Sequence, residues 1–481
     1  MENLNLRESH MKLKKGRRVL LFPLPFQGHI NPMLQLANIL YSRGFSITVI
    51  HTDFNSPNST NYPDFTFHSI RIGLSEEQAN QLAWPIGDVI ALLTSTNITC
   101  AAPFHGALVK LISESSEEEP VACLITDADW HFTQAVADSL HLPRIVLRTT
   151  NVCSFLVYEP LPLFHQKGYF PIKDSKAEEE IPEFPPLKAK DLPQVKTQNQ
   201  EDLFYLVDSM MSSIKASSGL IWNTCRDLEH SDLIKSSELF KVPNFSLGPF
   251  YKHFPCTSKS SLLAQDPTSI SWLNNQAPRS VLYVSFGSVA TITEAELLEI
   301  ACVMNQLVPI TRVVGRRGLA NSQQPFLWVV RPNSVENSEW IEVLPDGFHQ
   351  AVAGKGHIVR WAPQEEVLAH PSTGGFWTHC GLNSTLESMS QGVHMICAPS
   401  FGDQLVNARY ISDVWRIGIH LEWKMERGEI EKVVKALMVE EEGRKIRERA
   451  GALKEKMELC LKPGGSSYED GQSLVDHILS L

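Results

Sequence analysis

The sequence predicts an α/β protein built from two successive doubly wound domains. Short apolar runs alternate with helical stretches along most of the chain, the pattern of parallel sheets with helices on both faces. At 481 residues the chain has the length of roughly two or three domains. The alternation is interrupted by a polar, Ser- and Pro-bearing stretch from Asn244 to about Pro267, which holds the interdomain linker at 251–267. A first domain, 1–250, therefore precedes a second, 268–455, and 456–481 is expected to form a terminal helix that packs back toward the first.

The first unit runs from Arg17 to Thr52. Residues 19–22 read as a buried strand, 32–42 as a helix with Asn31 as N-cap and Pro32 at its first position, and 46–50 as the next strand, with Gly44 as the stop between them. Strand, helix and strand in about 30 residues make a βαβ unit, so the sheet is parallel. "VACLITDADW" (121–130) is an apolar strand running into acidic residues; "TQAVADSLH" then reads as helix and "RIVLRTT" as strand. Residues 171–200, rich in Pro, Glu and Lys, read as a surface loop, after which "GLIWNTCRDLE" returns to strand and helix. In the second half, 280–288 is a buried strand ending in a Gly-Ser turn, and Thr293 caps the helix "TEAELLEIA". "PFLWVVRP", "GHIVRWAP", "GGFWTH" and "VHMICAP" are further short strands.

Composition excludes several classes of function. With 43% hydrophobic and 20% charged residues the chain is an ordinary globular protein. A net charge of −11 and a pI near 5.9 leave no basic field for nucleic acid. The basic cluster at 11–18 reads as a solvated lead-in to the first strand. The apolar run after it is too short, and too broken by Pro23 and Pro25, for a signal peptide, and no later run reaches the ~20 apolar residues of a membrane span. Nine cysteines without CxxC spacing fit free thiols in a reducing compartment, which places the protein in the cytoplasm.

Ligands of doubly wound sheets bind beyond the carboxyl ends of the strands. There stands His29, in "PFQGHINP", with Asp127 at the end of another strand of the same domain. A carboxylate on one ring nitrogen would fix the tautomer and leave the other nitrogen as a general base. The first loop has no GxGxxG, which disfavours a dinucleotide and with it a dehydrogenase. "DAD" (127–129) also matches a DxD metal site, but one tripeptide is a weak signal. In "WTHCGLNSTLES" (377–388) a strand leads through a tight turn into a helix, whose unpaired N–H groups and partial positive charge suit a diphosphate. His379 can add a charge-assisted hydrogen bond, and Gly381 lets backbone approach phosphate. Trp361 offers an indole face to a nucleobase. Glu387 can take ribose hydroxyls, and Asp403 with Gln404 can grip a sugar. The bland alternatives are Trp361 as core and Asp403 as a helix cap.

The 44 residues from Trp361 to Gln404 resemble the plant secondary product glycosyltransferase signature of UDP-sugar-dependent transferases. The likeness extends to "PFQGHINPM", "CLITDA", "YVSFGS", "LPDGF" and "GGSSYE". It implies a GT-B fold, two Rossmann-like domains facing across a cleft. It also implies an inverting transfer of a hexose, glucose by the terminal Gln404, from UDP-glucose to a hydroxyl or carboxyl of a small apolar aglycone of terpenoid or flavonoid type, with no metal or other cofactor. His29 matches the family's base and Asp127 its partner. Trp361 would stack uracil with the Ala362 backbone and Gln364 beside it, and Glu387 would hold ribose. His379, Asn383, Ser384 and Ser288 would hold the diphosphate, and Asp403 and Gln404 the sugar, with Thr150 a further contact. The acceptor pocket is expected around Trp84, Phe155 and the 171–200 loop.

Three positions depart from the family pattern. Leu382 stands where the family has Trp, which removes the indole that walls the sugar pocket. His394 replaces the Pro of G-V-P, at the entry of a strand. Residues 302–317 ("CVMNQLVPITRVVGRR") interrupt what should be one continuous helix, and Pro309 requires the segment to bulge as a loop or break the element. It reads as retained intron sequence, which in-frame transcripts in cDNA would contradict. Leu382 and this segment are the grounds for a second reading, a relative that binds nucleotide sugar or a small apolar ligand with little turnover.

Overall fold

The computed structural model describes residues 16–72, 88–195, 197–254, 261, 263–307, 324–336, 338–344, 347–421 and 426–481. Two all-parallel sheets organise them. The first has the order β3-β2-β1-β4-β5-β6-β7, with β1 Arg18–Phe22, β2 Ser46–Thr52, β3 Thr66–Ile70, β4 Val121–Asp127, β5 Arg144–Arg148, β6 Gly219–Trp222 and β7 Asn244–Ser246. The second runs β10-β9-β8-β11-β12-β13, with β8 Val281–Ser285, β9 Phe326–Val329, β10 Gly356–Val359, β11 Thr373–Thr378, β12 His394–Cys397 and β13 Gly418–His420. Strand order reverses between β1 and β4 and between β8 and β11, and these are the switch points where open α/β sheets bind ligands.

The central strands are apolar throughout because helices cover both their faces. Val19 and Leu21 of β1 point to one side, where they meet Ile30, Met33, Leu34 and Ala37 of helix α1 (Gln27–Ser42). Leu20 and Phe22 point to the other, against Phe104 and Leu108 of α2 (Val89–Ser113). This alternation is the two-residue period of a strand. Each Val, Leu, Ile, Met or Phe side chain so buried contributes about 1.5–3 kcal/mol. Along the chain follow α3 (Gln200–Lys215), α4 (Arg226–Phe240), α5 (Glu294–Leu307), α6 (Leu382–Gln391), α7 (Gln404–Arg409), α8 (Glu441–Cys460) and α9 (Ser466–Ser480).

Several boundaries differ from the sequence reading. Helix α1 begins at Gln27, so Asn31 is not its N-cap; Phe26 holds that position without a side-chain bond, and Pro32 lies inside the helix. The polar stretch opening at Asn244 first forms strand β7, the sheet edge. The 171–200 stretch is more than a surface loop: Ile181, Leu187, Ala189 and Leu192 are buried with Val406 and Tyr410 from the second half of the chain. Thr293 caps α5 as expected, in a reciprocal box where Glu296 N–H donates to Thr293 Oγ1 at 3.2 Å and Thr293 N–H to Glu296 Oε2 at 2.8 Å. The helix then runs to Leu307, through the first residues of the 302–317 segment. The break expected at Pro309 lies outside the described residues, as do 11–15 of the basic cluster.

Helix α9 sits on the first sheet, where Leu474, Val475 and Ile478 pack among Val19, Ile221 and Phe245. His477 Nε2 lies 2.7 Å from the Ser218 carbonyl, and Ser246 N–H donates to Asp470 at 3.0 Å. Among the described residues no helix is long and apolar enough to cross a membrane.

Candidate active site

Residues at the carboxyl ends of both sheets line a cleft of about 390 Å³. His29, Thr150, Ser288, Trp361, Ala362 and Gln364 lie on its wall, as do His379, Asn383, Ser384, Glu387, Asp403 and Gln404. Asp127 stands behind His29, fully buried at the end of β4.

On the first-sheet side, His29 occupies the opening turn of α1. Its Nδ1 lies 2.6 Å from Asp127 Oδ2, with Thr149 Oγ1 at 3.2 Å from the same nitrogen. That bond places a proton on Nδ1 and leaves Nε2 as the basic nitrogen. Burial opposes the imidazolium, but Asp127, assisted by Asp129, outweighs it and holds the His29 pKa above its ordinary value. Burial likewise opposes the Asp127 carboxylate, yet His29, Arg148 and the Asp129 N–H hold its pKa below the usual value.

The second carboxylate of the DxD tripeptide has a different partner. His29, Asp127 and Asp129 bring donor atoms within 4.8 Å of one another. Arg148 Nη1, however, binds Asp129 Oδ2 at 2.9 Å, and Asp127 Oδ1 accepts the Asp129 N–H at 3.1 Å. Arg148 also donates from Nε to Thr150 Oγ1 at 3.1 Å, so Thr150 is held by a cation that itself lines the cleft. Sequence reasoning passed over Arg148 as one more strand residue; its signal was a charged side chain closing an apolar run.

On the second-sheet side, the turn after β8 and the turn after β11 meet. Gly287 has φ +74°, and a Cβ there would lie 2.4 Å from His379 Cε1. A Cβ on Gly381 would lie 2.6 Å from His379 Nε2. Both glycines therefore make room for the imidazole. Burial pushes the His379 pKa down to about 4, against the Ser285 carbonyl. Near neutral pH the ring is therefore neutral, an N–H donor whose bond to a diphosphate would draw its charge assistance from the anion. Helix α6 starts at Leu382, with Gly381 as an N-cap that makes no side-chain bond, so its first-turn N–H groups remain for a ligand.

Gln364 ties the next residues together. Its Nε2 donates to Ser384 Oγ at 2.8 Å and to Glu387 Oε2 at 2.7 Å, and its Oε1 accepts from the Tyr283 hydroxyl at 3.2 Å. Burial and neighbouring Glu365 push the Glu387 pKa up to about 8. Trp361, two residues after β10, donates from Nε1 to Ser261 Oγ at 2.9 Å, lines the cleft and also borders the apolar core. Asp403 sits at the N-cap of α7 but does not cap it. Its Oδ2 accepts from Asn407 at 3.0 Å, and burial raises its pKa against Arg148 and Asn407. Gln404 Oε1 accepts the Ser400 N–H at 2.9 Å, leaving its amide N–H groups as donors. Asn383 Nδ2 donates across the cleft to the Gly28 carbonyl at 2.8 Å.

The apolar wing of the cleft differs from the expected pocket. It is lined by Val89, Ile90 and Leu93 of α2 and by Leu203, Leu206, Val207 and Met210 of α3. The spacing of the α3 residues is that of one helix face, a signal the sequence carried. Phe155 lies instead in the core against Trp222 and Phe240. Of the 171–200 stretch Val195 reaches the cleft, and Trp84 lies outside the described residues.

Two facing Rossmann-like domains, with a histidine–carboxylate pair opposite an open helix N-terminus, define the class of nucleotide-sugar transferases with the GT-B fold. A family model described as UDP-glucoronosyl and UDP-glucosyl transferase matches residues 18–447, and the chain belongs to that family. It is 50% identical over 462 residues to UDP-glycosyltransferase 76B1 of Arabidopsis thaliana, covering 96% of this chain and 98% of the relative. It is 41% identical over 478 residues to flavonol 3-O-glucosyltransferase UGT76E12 of the same plant, covering 98% and 99%. Among solved structures, a UDP-glucose: anthocyanidin 3-O-glucosyltransferase in complex with UDP matches with a TM-score of 0.80 at 27% identity, covering 97% of this chain and all of that one. The protein is a UDP-glycosyltransferase.

Proposed function

We propose that the enzyme transfers glucose with inversion from UDP-glucose to a hydroxyl or carboxyl group of a small apolar acceptor, with His29 as base, Asp127 as its partner and no metal. The observation that carries this reading is the 2.6 Å His29–Asp127 contact on the cleft wall opposite the start of α6. The acceptor O–H loses its proton to His29 Nε2 as its oxygen bonds to the sugar C1. The C1–O bond to UDP breaks on the opposite face, which inverts the configuration. Asp127 stabilises the imidazolium that forms. The leaving diphosphate is met by the first-turn N–H groups of α6 with His379, Asn383, Ser384 and Ser288 around it. Trp361, Ala362 and Gln364 hold uracil, Glu387 holds ribose, and Asp403, Gln404 and Thr150 hold the sugar.

Support for transfer without metal comes from the engagement of Asp129 by Arg148. Glucose is favoured by Gln404 and by the likeness to a flavonol 3-O-glucosyltransferase. An apolar acceptor is favoured by the α2 and α3 side chains beside His29. Proton NMR of the product formed from UDP-glucose tests the mechanism. A β-glucoside is expected, whereas an α-glucoside would contradict single displacement.

A further inference from the structure

Pro32 is the sixth residue of α1 and has no N–H to give. The Gly28 carbonyl, four residues earlier, therefore lacks the helical donor that an ordinary residue at 32 would supply. Asn383 fills the gap from the other side of the cleft, its Nδ2 donating to that carbonyl at 2.8 Å. Space is not the reason for the pairing, because a Cβ on Gly28 would stand at an ordinary 3.8 Å from Asn383 Nδ2. Gly28 directly precedes His29, and Asn383 is the second residue of α6.

We infer that Asn383 is a positioning residue, a cross-cleft latch by which diphosphate at the start of α6 seats the turn that carries His29. This rests on reading α6 as the diphosphate site and His29 as the base. The backbone N–H of Asn383 is one of the unpaired donors of α6, while its side chain holds Gly28, so one residue touches both halves of the reaction. The carbonyl that Pro32 leaves open can be satisfied by water when the cleft opens and by Asn383 when it closes, so the contact is reversible. A permanent helical donor at position 32 would compete with it.

The test uses the full chain and the variants Asn383→Ala, Pro32→Ala and the double variant. It reads turnover at saturating UDP-glucose, UDP affinity, and UDP-induced hydrogen-exchange protection over residues 27–31. Asn383→Ala is expected to lower kcat by about three- to tenfold, the worth of one hydrogen bond, and to abolish the UDP-induced protection. Pro32→Ala, whose N–H takes the Gly28 carbonyl, is expected to lower kcat similarly without loss of thermal stability. The double variant should be as slow as Asn383→Ala, because the two changes remove the same contact. The latch is overturned if Pro32→Ala restores wild-type kcat to Asn383→Ala, since the bond would then serve only to satisfy the carbonyl. It is equally overturned if Asn383→Ala weakens UDP binding alone, leaving kcat and protection intact. Protection is read without acceptor, so the latch and the transfer reading fail separately. Protection that depends on Asn383 in a protein without glucosyl transfer would sink only the reading, and transfer without such protection would sink only the latch.

Discussion

At the position of His29, burial and a buried carboxylate pull in opposite directions, and the carboxylate wins. The base works when neutral, so kcat/KM is expected to rise with pH through a pKa above the ordinary histidine value of 6.5. Asp127→Asn removes the favourable partner while burial persists. The acidic limb should then move to lower pH, and kcat should fall by about two to four orders of magnitude because the tautomer is no longer enforced. Glu387 presents the reverse case. Its pKa of about 8 in the folded protein exceeds the usual 4.5, so the folded state binds a proton that the unfolded state releases. Stability is thus lost as pH rises between those values. Glu387→Gln should raise the melting temperature relative to wild type at about pH 9 and leave it unchanged near pH 4, with a higher KM for UDP-glucose. Asp127 was legible because it closes β4, and His29 because it stands in the turn after β1, both at a ligand-binding edge. The neutrality of His379 was not, because it comes from packing against Gly287 and Gly381 from two different turns.

Among the elements, strands with continuous apolar runs were readable, as was the edge strand β10, whereas the edge strands β3, β7 and β13 were not. These three have exposed or half-buried positions, so they lack the unbroken apolar pattern of β1 or β4. The start of α1 was misplaced because Asn31-Pro32 has the chemistry of a helix start, while the missing donor at Pro32 is made good by a side chain 355 positions away. His394 begins β12, buried, with Nε2 3.0 Å from the Leu437 carbonyl, so this departure from the family pattern is absorbed by one hydrogen bond. Helix α3 presents its apolar face to the cleft, on the wing where the proposed function seats the acceptor. Leu206→Ala should raise KM for an apolar acceptor about tenfold, the cost of losing one buried side chain. KM for UDP-glucose should hold, because Leu206 lies on α3, away from the second-sheet residues proposed to hold UDP.

Across the whole molecule, buried polar contacts fasten the two halves beside Asp403 and Gln404. Arg409 donates from Nε to Asp191 at 2.8 Å, with both side chains buried, and Tyr410 donates to Asp232 at 2.7 Å. The Gly402 N–H donates to the Gln194 carbonyl at 2.8 Å. The turn carrying Asp403 and Gln404 is thereby anchored to the 171–200 stretch, which composition alone presents as polar surface. Asp191→Asn leaves Arg409 buried with Asp413 as its remaining carboxylate, and should destabilise the protein by about 3 kcal/mol, read as an earlier denaturation midpoint. Pairings this distant in sequence have no local signature, whereas the order of strands and helices does. The most direct measurement is mass spectrometry of the purified protein incubated with UDP-glucose and a mixed panel of phenolic and terpenoid alcohols, beside His29→Ala. A product heavier by one hexose, absent with His29→Ala, is the expected result. Equal product from the variant, or none from a folded wild-type sample, would contradict the assignment of this cleft as a His29-driven glucosyl transfer site.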